Sequence, residues 1–240
     1  PLAPEITVAR AEELFAQWAE SAPRLLLFLT SMRRVSFYRW RSGAAQPELV
    51  ADTNKKYLRG GPRPRLPPSL PDNVTRTYAT LREHIVDLSA SARAALSATQ
   101  EAVVRVELSQ PAPQGASSSV SAIDWFVCER LDFITPSVLD AMRKGCCSHA
   151  TPVIPVVGIA MPLTADGVPF VGVPYCFLPI GQMRTGLPVQ VNGSFRPTPN
   201  RRELWLPGEE LDGNHEKFAL WNEVLMNDAV PALWLEALRN

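Results

Sequence analysis

The chain lacks an apolar run of membrane-spanning length, because residues 25–29 (LLLFL) fall far short of the roughly 20 residues that a transmembrane helix needs. No charged and then apolar secretory signal opens it. It also lacks an excess of either charge, since 24 Lys and Arg balance 24 Asp and Glu. Such a balance gives no electrostatic reason to bind nucleic acid or an anionic membrane. We therefore expect a soluble, cytoplasmic protein whose partners include neither nucleic acid nor membrane.

Patterns for metal binding and nucleophilic catalysis are missing as well. The cysteines form no CxxC pair, and two of them are adjacent: Cys128, Cys146, Cys147 and Cys176. The histidines have no metal-ligand spacing: His84, His149 and His215. Neither Ser nor Cys occurs in a nucleophile-elbow pattern. We expect reduced thiols, no metal and no cofactor in this chain, which would then not be an enzyme on its own.

What the sequence does contain is the patterning of an α/β (α+β) fold, with a mixed β-sheet flanked by helices. Helices are predicted over residues 5–20 with Thr7 as N-cap, 74–100, 136–144 and 215–238, the last one interrupted at Pro231. Strands are predicted over residues 34–40, 101–108, 120–128, 153–163, 171–180 and 187–191. Pro23 is expected to end the first helix. Asn192-Gly193 is predicted to form a tight turn between two strands.

We expect residues 1–240 to form one module of a larger protein, because the chain begins Pro-Leu-Ala-Pro without Met. Its possible subdivisions are a helix–strand entry (1–58), a Pro/Arg-rich loop (59–72) and an α/β core (73–240). Arg59, Arg63 and Arg65 lie in that loop without interleaved aromatic residues. We interpret it as a solvated loop rather than an RNA contact.

Residues 185–205 (TGLPVQVNGSFRPTPNRRELW) resemble the signature of sacsin and sacsin-like (NO VEIN-type) repeats, in which a run close to TGLPVHVNG-F precedes S-NRR-LW. Other stretches also resemble the family and occur along the chain in the family's order: residues 25–38 (LLLFLTSMRRVSFY), 124–128 (DWFVC), 157–163 (VGIAMPL) with 175–178 (YCFL), and Trp221-Asn222. The resemblance spans nearly the whole chain. Gln190 replaces the usual His and Pro199 the usual Ser, which puts a role for these two positions in doubt.

In that family the segment follows an ATP-binding domain of the GHKL type, similar to the ninety-kilodalton heat-shock chaperones, and looks like the chaperone's middle domain. The resemblance implies a middle segment that couples the upstream ATPase to client proteins or co-chaperones. ATP and Mg²⁺ would belong to the full-length protein, since this chain has no nucleotide-pocket pattern. The alternative is a non-catalytic scaffold or interaction module in a giant multidomain protein.

The resemblance also implies one candidate site, in the stretch Asn200-Arg201-Arg202-Glu203. Similar chaperones place an Arg of a short S-R-E stretch against the γ-phosphate held by the preceding domain. Arg202, with Arg201 beside it, matches that residue here. An arginine can contact phosphate in a bidentate manner. The competing interpretation is that both arginines pair with carboxylates and only anchor the loop; those carboxylates are Glu203, Glu209 and Glu210.

Three residues of the signature are interpreted as backbone formers rather than ligands. Asn192 and Gly193 suit the positive φ angles of a turn, and Gly186 lets the chain enter the strand.

Overall fold

The computed structural model describes residues 7–40, 42–61, 88–110, 119–146, 154–163, 170–181, 183–208 and 212–239. The helices within these ranges are α1 (Val8–Leu25), α2 (Ala90–Leu96), α3 (Pro136–Arg143), α4 (Gly213–Val224), a π-helical segment (Leu225–Ala229) and α5 (Val230–Ala237). The strands are β1 (Arg34–Arg39), β2 (Glu48–Arg59), β3 (Gln100–Gln110), β4 (Ser119–Leu131), β5 (Val156–Pro162), β6 (Pro174–Cys176), β7 (Leu178–Pro179) and β8 (Gln190–Gly193).

These strands form one mixed sheet in the order β1-β2-β3-β4-β5-β8-β6-β7. Every neighbouring pair is antiparallel except β6 and β8, which are parallel. Helices flank the sheet, so the predicted α/β class with a mixed sheet is confirmed. In the described part of the chain, no helix is both long and apolar enough to cross a membrane.

The sheet carries an apolar core on each face because its central strands alternate. On β4, Trp125 and Val127 belong to one core, together with Leu27 and Phe28 from the segment that follows α1. Cys128 belongs to the other core, which α2, α3, α4, the π-helical segment and α5 cover. A strand buried on both sides reads as a nearly continuous apolar run, as DWFVC does.

The first helix begins as predicted and ends later. The Thr7 hydroxyl accepts a hydrogen bond from the Arg10 amide at 3.2 Å, so Thr7 is the N-cap. The helix then includes Pro23 and runs to Leu25, so the expectation that Pro23 ends it is wrong. The next residues leave the helix and are buried, and Leu26 is wholly inaccessible.

Several other predicted elements are confirmed with shifted ends, but the single strand predicted over 171–180 is wrong, because β6 and β7 are two short strands that pair with each other. The strands predicted over 101–108 and 120–128 correspond to β3 and β4, and the helix over 136–144 corresponds to α3. The final helix is interrupted by the π-helical segment just before Pro231. Residues 62–87, with most of the Pro/Arg-rich loop and of the helix predicted over 74–100, lie outside the described residues. Within that range the structure describes α2, a separate short helix that begins after its N-cap Ser89, and β3 already begins at Gln100, so the single helix predicted over 74–100 is wrong.

The predicted turn at Asn192-Gly193 is wrong. Both residues belong to β8, where Asn192 pairs with Gly158 of β5 and Gly193 pairs with Val157. Neither has a positive φ. The glycine is needed for a different reason, because a Cβ atom there would lie 2.7 Å from the Phe195 ring.

Replacing Gly193 by Ala should lower the free energy of unfolding by about 1–3 kcal/mol, because the added methyl group overlaps the buried Phe195 ring. Urea denaturation measures the loss. Gly181→Ala is the control, since a Cβ atom at Gly181 meets nothing within 4 Å and its φ is not positive. Equal stabilities of the two variants would contradict this account of β8.

Candidate functional site

The predicted arginine stretch lies in a loop that its own backbone closes. We call residues 197–204 the arginine loop. A bridge joins Pro197 to Leu204 at its base. The Thr198 amide donates to the Glu203 carbonyl at 2.9 Å. The loop is therefore a short, hydrogen-bonded excursion after β8.

Inside the loop, hydrogen bonds to the Asn200 side chain and to the Thr198 carbonyl hold a turn. Asn200 Oδ1 accepts from the Thr198 hydroxyl at 2.8 Å and from the Arg202 amide at 3.0 Å. The Arg201 amide donates to the Thr198 carbonyl at 2.8 Å. Asn side chains that bond to the backbone two residues ahead are typical of such turns. The asparagine of the NRR motif thus sets the loop's shape.

Helix α4 clamps both ends of the arginine loop through Asn222. The Asn222 side chain accepts from the Arg196 amide at 2.6 Å and donates to the carbonyls of Arg196 and Trp205 at 2.8 and 2.9 Å. The neighbouring Trp221 donates its indole N–H to the Ser194 carbonyl at 2.9 Å. Both helix residues are buried. The Trp-Asn pair and the NRR loop, far apart in sequence, therefore form one unit.

The two arginines differ in what they contact. Arg201 donates from Nη2 to the carbonyl of Cys176 at 3.1 Å, which ties the loop to the end of β6. Arg202 is exposed, and among the described residues its guanidinium has no hydrogen bond or ion pair. Within that part of the chain, neither arginine pairs with Glu203. Glu209 and Glu210 lie outside the described residues.

Two residues at this contact have unusual backbone conformations. Among the described non-glycine residues, only Phe177 and Arg201 have positive φ, of 62° and 54°. Phe177 stands between β6 and β7, and its amide donates to Asn192 Oδ1 at 3.0 Å. Residues held in this region cost energy and persist only where neighbouring contacts fix them.

Asn192 is part of a polar arrangement buried within the sheet. Glu129, Gly158 and Asn192 lie side by side on β4, β5 and β8, and we call them the buried polar row. Asn192 Nδ2 donates to Glu129 Oε1 at 3.3 Å across the glycine. A Cβ atom at Gly158 would lie 2.8 Å from Glu129 Cγ. Glycine is therefore what allows the two side chains to meet.

A buried lysine lies on the same face of the sheet. Lys55 is 2% exposed, and its ammonium donates to the carbonyl of Leu26 at 2.8 Å and to that of Leu29. It thus caps the end of α1. Burial lowers the pKa of Lys55 to about 8, the charge of Glu129 opposes that shift, and Arg33 adds to it. A cavity of about 20 Å³ beside Lys55 and Glu129 has room for one water molecule.

The other candidate groups take structural positions. Burial raises the pKa of the Cys128 thiol to about 12 and also raises that of Cys176, so neither is a thiolate near neutral pH. The described residues contain no cluster of three or more His, Cys, Asp or Glu that could hold a metal ion. His215 stacks on Trp205 with ring centroids 4.1 Å apart. Gln190 is buried and accepts from the Val173 amide at 2.8 Å.

Two further residues of the signature, Gly186 and Pro199, lie where the backbone changes direction. Gly186 has a φ of 72°, as expected for a glycine that redirects the chain. Pro199 lies in the turn of the arginine loop.

Fold and site together define a mixed-sheet module whose arginine loop is clamped to a C-terminal helix. An alignment of 89 residues, covering 32% of this chain, is 43% identical to human sacsin. It spans 2% of the length of sacsin. No family model and no solved structure matches the chain. The chain therefore contains a sacsin-related region.

The sequence identified the arginine loop but missed the residues that hold it. The local pattern at Asn192 predicts a turn, and the sequence assigns no role to Glu129, Gly158 or Asn222. A usable signal was present, because Gly158, Asn192 and Asn222 all lie inside the stretches that carry the resemblance. Because buried polar groups are hydrogen-bonded, an Asn in an otherwise apolar motif indicates a buried hydrogen bond.

Replacing Lys55 by Met should change how stability depends on pH. The pKa of Lys55 is about 8 in the folded protein, below the value of roughly 10.4 expected in the unfolded chain. At pH values between these two pKa values, the unfolded state therefore binds more protons than the folded state. The wild-type free energy of unfolding should therefore gain on the order of 2–3 kcal/mol relative to Lys55→Met from pH 7.5 to 10.5. Urea denaturation across that range measures the difference. A difference that stays constant or shrinks would contradict the buried ammonium.

Proposed function

We propose that the chain is the middle segment of a sacsin-like chaperone repeat, which couples an upstream ATP-binding domain to client or partner binding in the cytoplasm. In this proposal the chain itself is not an enzyme. Arg202 reaches the γ-phosphate of ATP held with Mg²⁺ in the preceding domain. The observation that carries the proposal is an exposed guanidinium, without a partner in the described residues, on a loop that α4 clamps.

The two arginines have separate roles in this proposal. Arg201 is already bonded to the Cys176 carbonyl, so it anchors the loop. Arg202 is left to meet an anion that another domain supplies. A phosphate in a site that excludes water would attract a guanidinium far more strongly than solvent-exposed carboxylates do. An arginine supplied to a transferring phosphoryl group raises its transfer rate by about a thousandfold or more.

A second candidate is a non-catalytic interaction module, which a groove between α1 and β1 favours. The groove has a volume of about 450 Å³ and is lined by Phe15, Tyr38 and Trp40 among others. Trp40 is 67% exposed. Exposed aromatic patches of this kind mark interaction sites more often than isolated surface residues do.

Arg202→Ala should lower the kcat for ATP hydrolysis by about tenfold or more in the protein that joins this chain to its upstream ATP-binding domain. The KM for ATP should stay unchanged, because the contact forms with the transferring phosphate. Arg202→Lys should recover only part of the rate, since an ammonium cannot replace the bidentate fork. Arg10→Ala is the matched control, being an exposed arginine on α1, across the sheet from α4. If Arg202→Ala hydrolyses ATP like the parent, the interaction-module proposal stands instead.

The chain without its upstream domain should bind no ATP at micromolar concentration. Exposed arginines alone give weak phosphate contacts that salt screens. Isothermal titration calorimetry with MgATP at 150 mM salt is the measurement. A micromolar dissociation constant would show that the chain holds a nucleotide site of its own, contrary to the proposal.

A further inference from the structure

One peptide group, between Cys176 and Phe177, lies between the buried polar row and the arginine loop. Its N–H donates to Asn192 Oδ1 at 3.0 Å. Its C=O accepts from Arg201 Nη2 at 3.1 Å. The same planar unit therefore contacts a wholly buried amide on one side and an exposed guanidinium on the other.

The geometry of the peptide bond couples these two contacts. A trans peptide is planar, and its N–H and C=O point in opposite directions. Fixing the N–H toward Asn192 therefore fixes the C=O toward Arg201. A bond to either group also polarises the peptide and strengthens the other bond.

The backbone at this point does not hold that orientation without help. Phe177 has a φ of 62°, a left-handed conformation that is unfavourable for a non-glycine residue. It joins two very short strands at the edge of the sheet, Pro174–Cys176 and Leu178–Pro179. Rotation of the peptide would relieve the strain and turn the carbonyl away from Arg201. The bond to Asn192 opposes that rotation.

Asn192 is itself held on three sides. β8 pairs with β5 on one side and with β6 on the other, so the Asn192 backbone is fixed. Its amide nitrogen donates to Glu129 across Gly158, which determines which end of the amide faces Phe177. The oxygen is therefore directed at the Phe177 N–H.

We propose that Asn192, oriented by Glu129 across Gly158, is a positioning residue that sets the Cys176–Phe177 peptide and through it the Arg201 guanidinium. The link to ATP hydrolysis rests on the proposed function, whereas the link to Arg201 does not. The buried polar row in this way extends to the exposed loop.

The first test uses the chain alone and follows two NMR signals. Asn192→Ala should speed hydrogen exchange of the Phe177 amide at least about fivefold, as expected for loss of one hydrogen bond. It should also speed rotation of the Arg201 guanidinium. Gln190→Ala is the matched control, because Gln190 is a buried amide on the same strand and face that bonds to the Val173 amide instead. Equal effects of both variants on Arg201 would overturn the proposal.

A reciprocal variant keeps the test valid if Asn192→Ala does not fold. Arg201 is exposed, so Arg201→Ala should fold normally. Coupling between two contacts is mutual, so loss of the Arg201 hydrogen bond to Cys176 should speed hydrogen exchange of the Phe177 amide, which lies on the buried side of the peptide. An unchanged Phe177 exchange rate would also overturn the proposal.

A double variant that exchanges the carboxylate and the amide of residues 129 and 192 should restore the contact. In the double variant Glu129→Gln with Asn192→Asp, the new amide at 129 can donate to the new carboxylate, whose second oxygen still accepts from Phe177. Slow exchange at Phe177 and slow Arg201 rotation should return. A double variant that behaves like Asn192→Ala would contradict the assigned direction of the bonds.

Kinetics of the joined protein separate the two proposals. Asn192→Ala and Arg201→Ala should each lower kcat severalfold with little change in KM, and the double variant should be no slower than Arg201→Ala. If Arg202→Ala is silent while Asn192→Ala still loosens Arg201, the proposed function fails and the positioning role stands. If Asn192→Ala leaves Arg201 unchanged, the positioning role fails whatever the kinetics show.

Discussion

Burial of the central strands on both faces, from the end of β4 through β5 to β8, is the constraint on which the rest of the structure depends. A polar side chain buried in such a sheet costs free energy comparable to a lost hydrogen bond when it is left unpaired, so a partner for it is strongly favoured. Glu129, Asn192 and Gln190 satisfy this requirement by bonding to one another or to nearby backbone. The backbone groups are the amides of Val173 and Phe177, which lie in irregular segments on either side of β6. The packing of the core therefore fixes the position of these two segments.

The fold class and most element positions followed from periodicity, because helices and long strands carry a repeating signal over many residues. β3, β4 and α3 are examples. Short elements gave no such signal, and neither did β2, a 12-residue strand whose buried residues are Ala51, Thr53 and Lys55 rather than large apolar ones. The interruption of residues 171–180 at Phe177 depends on a contact with Asn192 in another strand. Likewise, Asn192-Gly193 has the local chemistry of a turn, yet pairing with β5 overrides it.

The candidate site was likewise predictable from the sequence only in part. Arg201 and Arg202 were found because adjacent arginines in a known motif are visible in the sequence itself. Their unequal contacts were not predictable, since they depend on the position of the Cys176 carbonyl. The contacts of Asn222 were equally hidden, because its partners lie well before it in the chain. Sequence thus located the charges, and only the structure showed which one is already engaged.

The clamp by Asn222 has a consequence for the order in which the molecule assembles. The arginine loop precedes α4 in the chain, so during synthesis its residues leave the ribosome before the helix that holds them. Asn222 must emerge, and α4 must dock on the sheet, before Arg196 and Trp205 gain their partner. A nascent chain that ends before α4 therefore carries the arginines without the Asn222 contacts that hold the two ends of their loop.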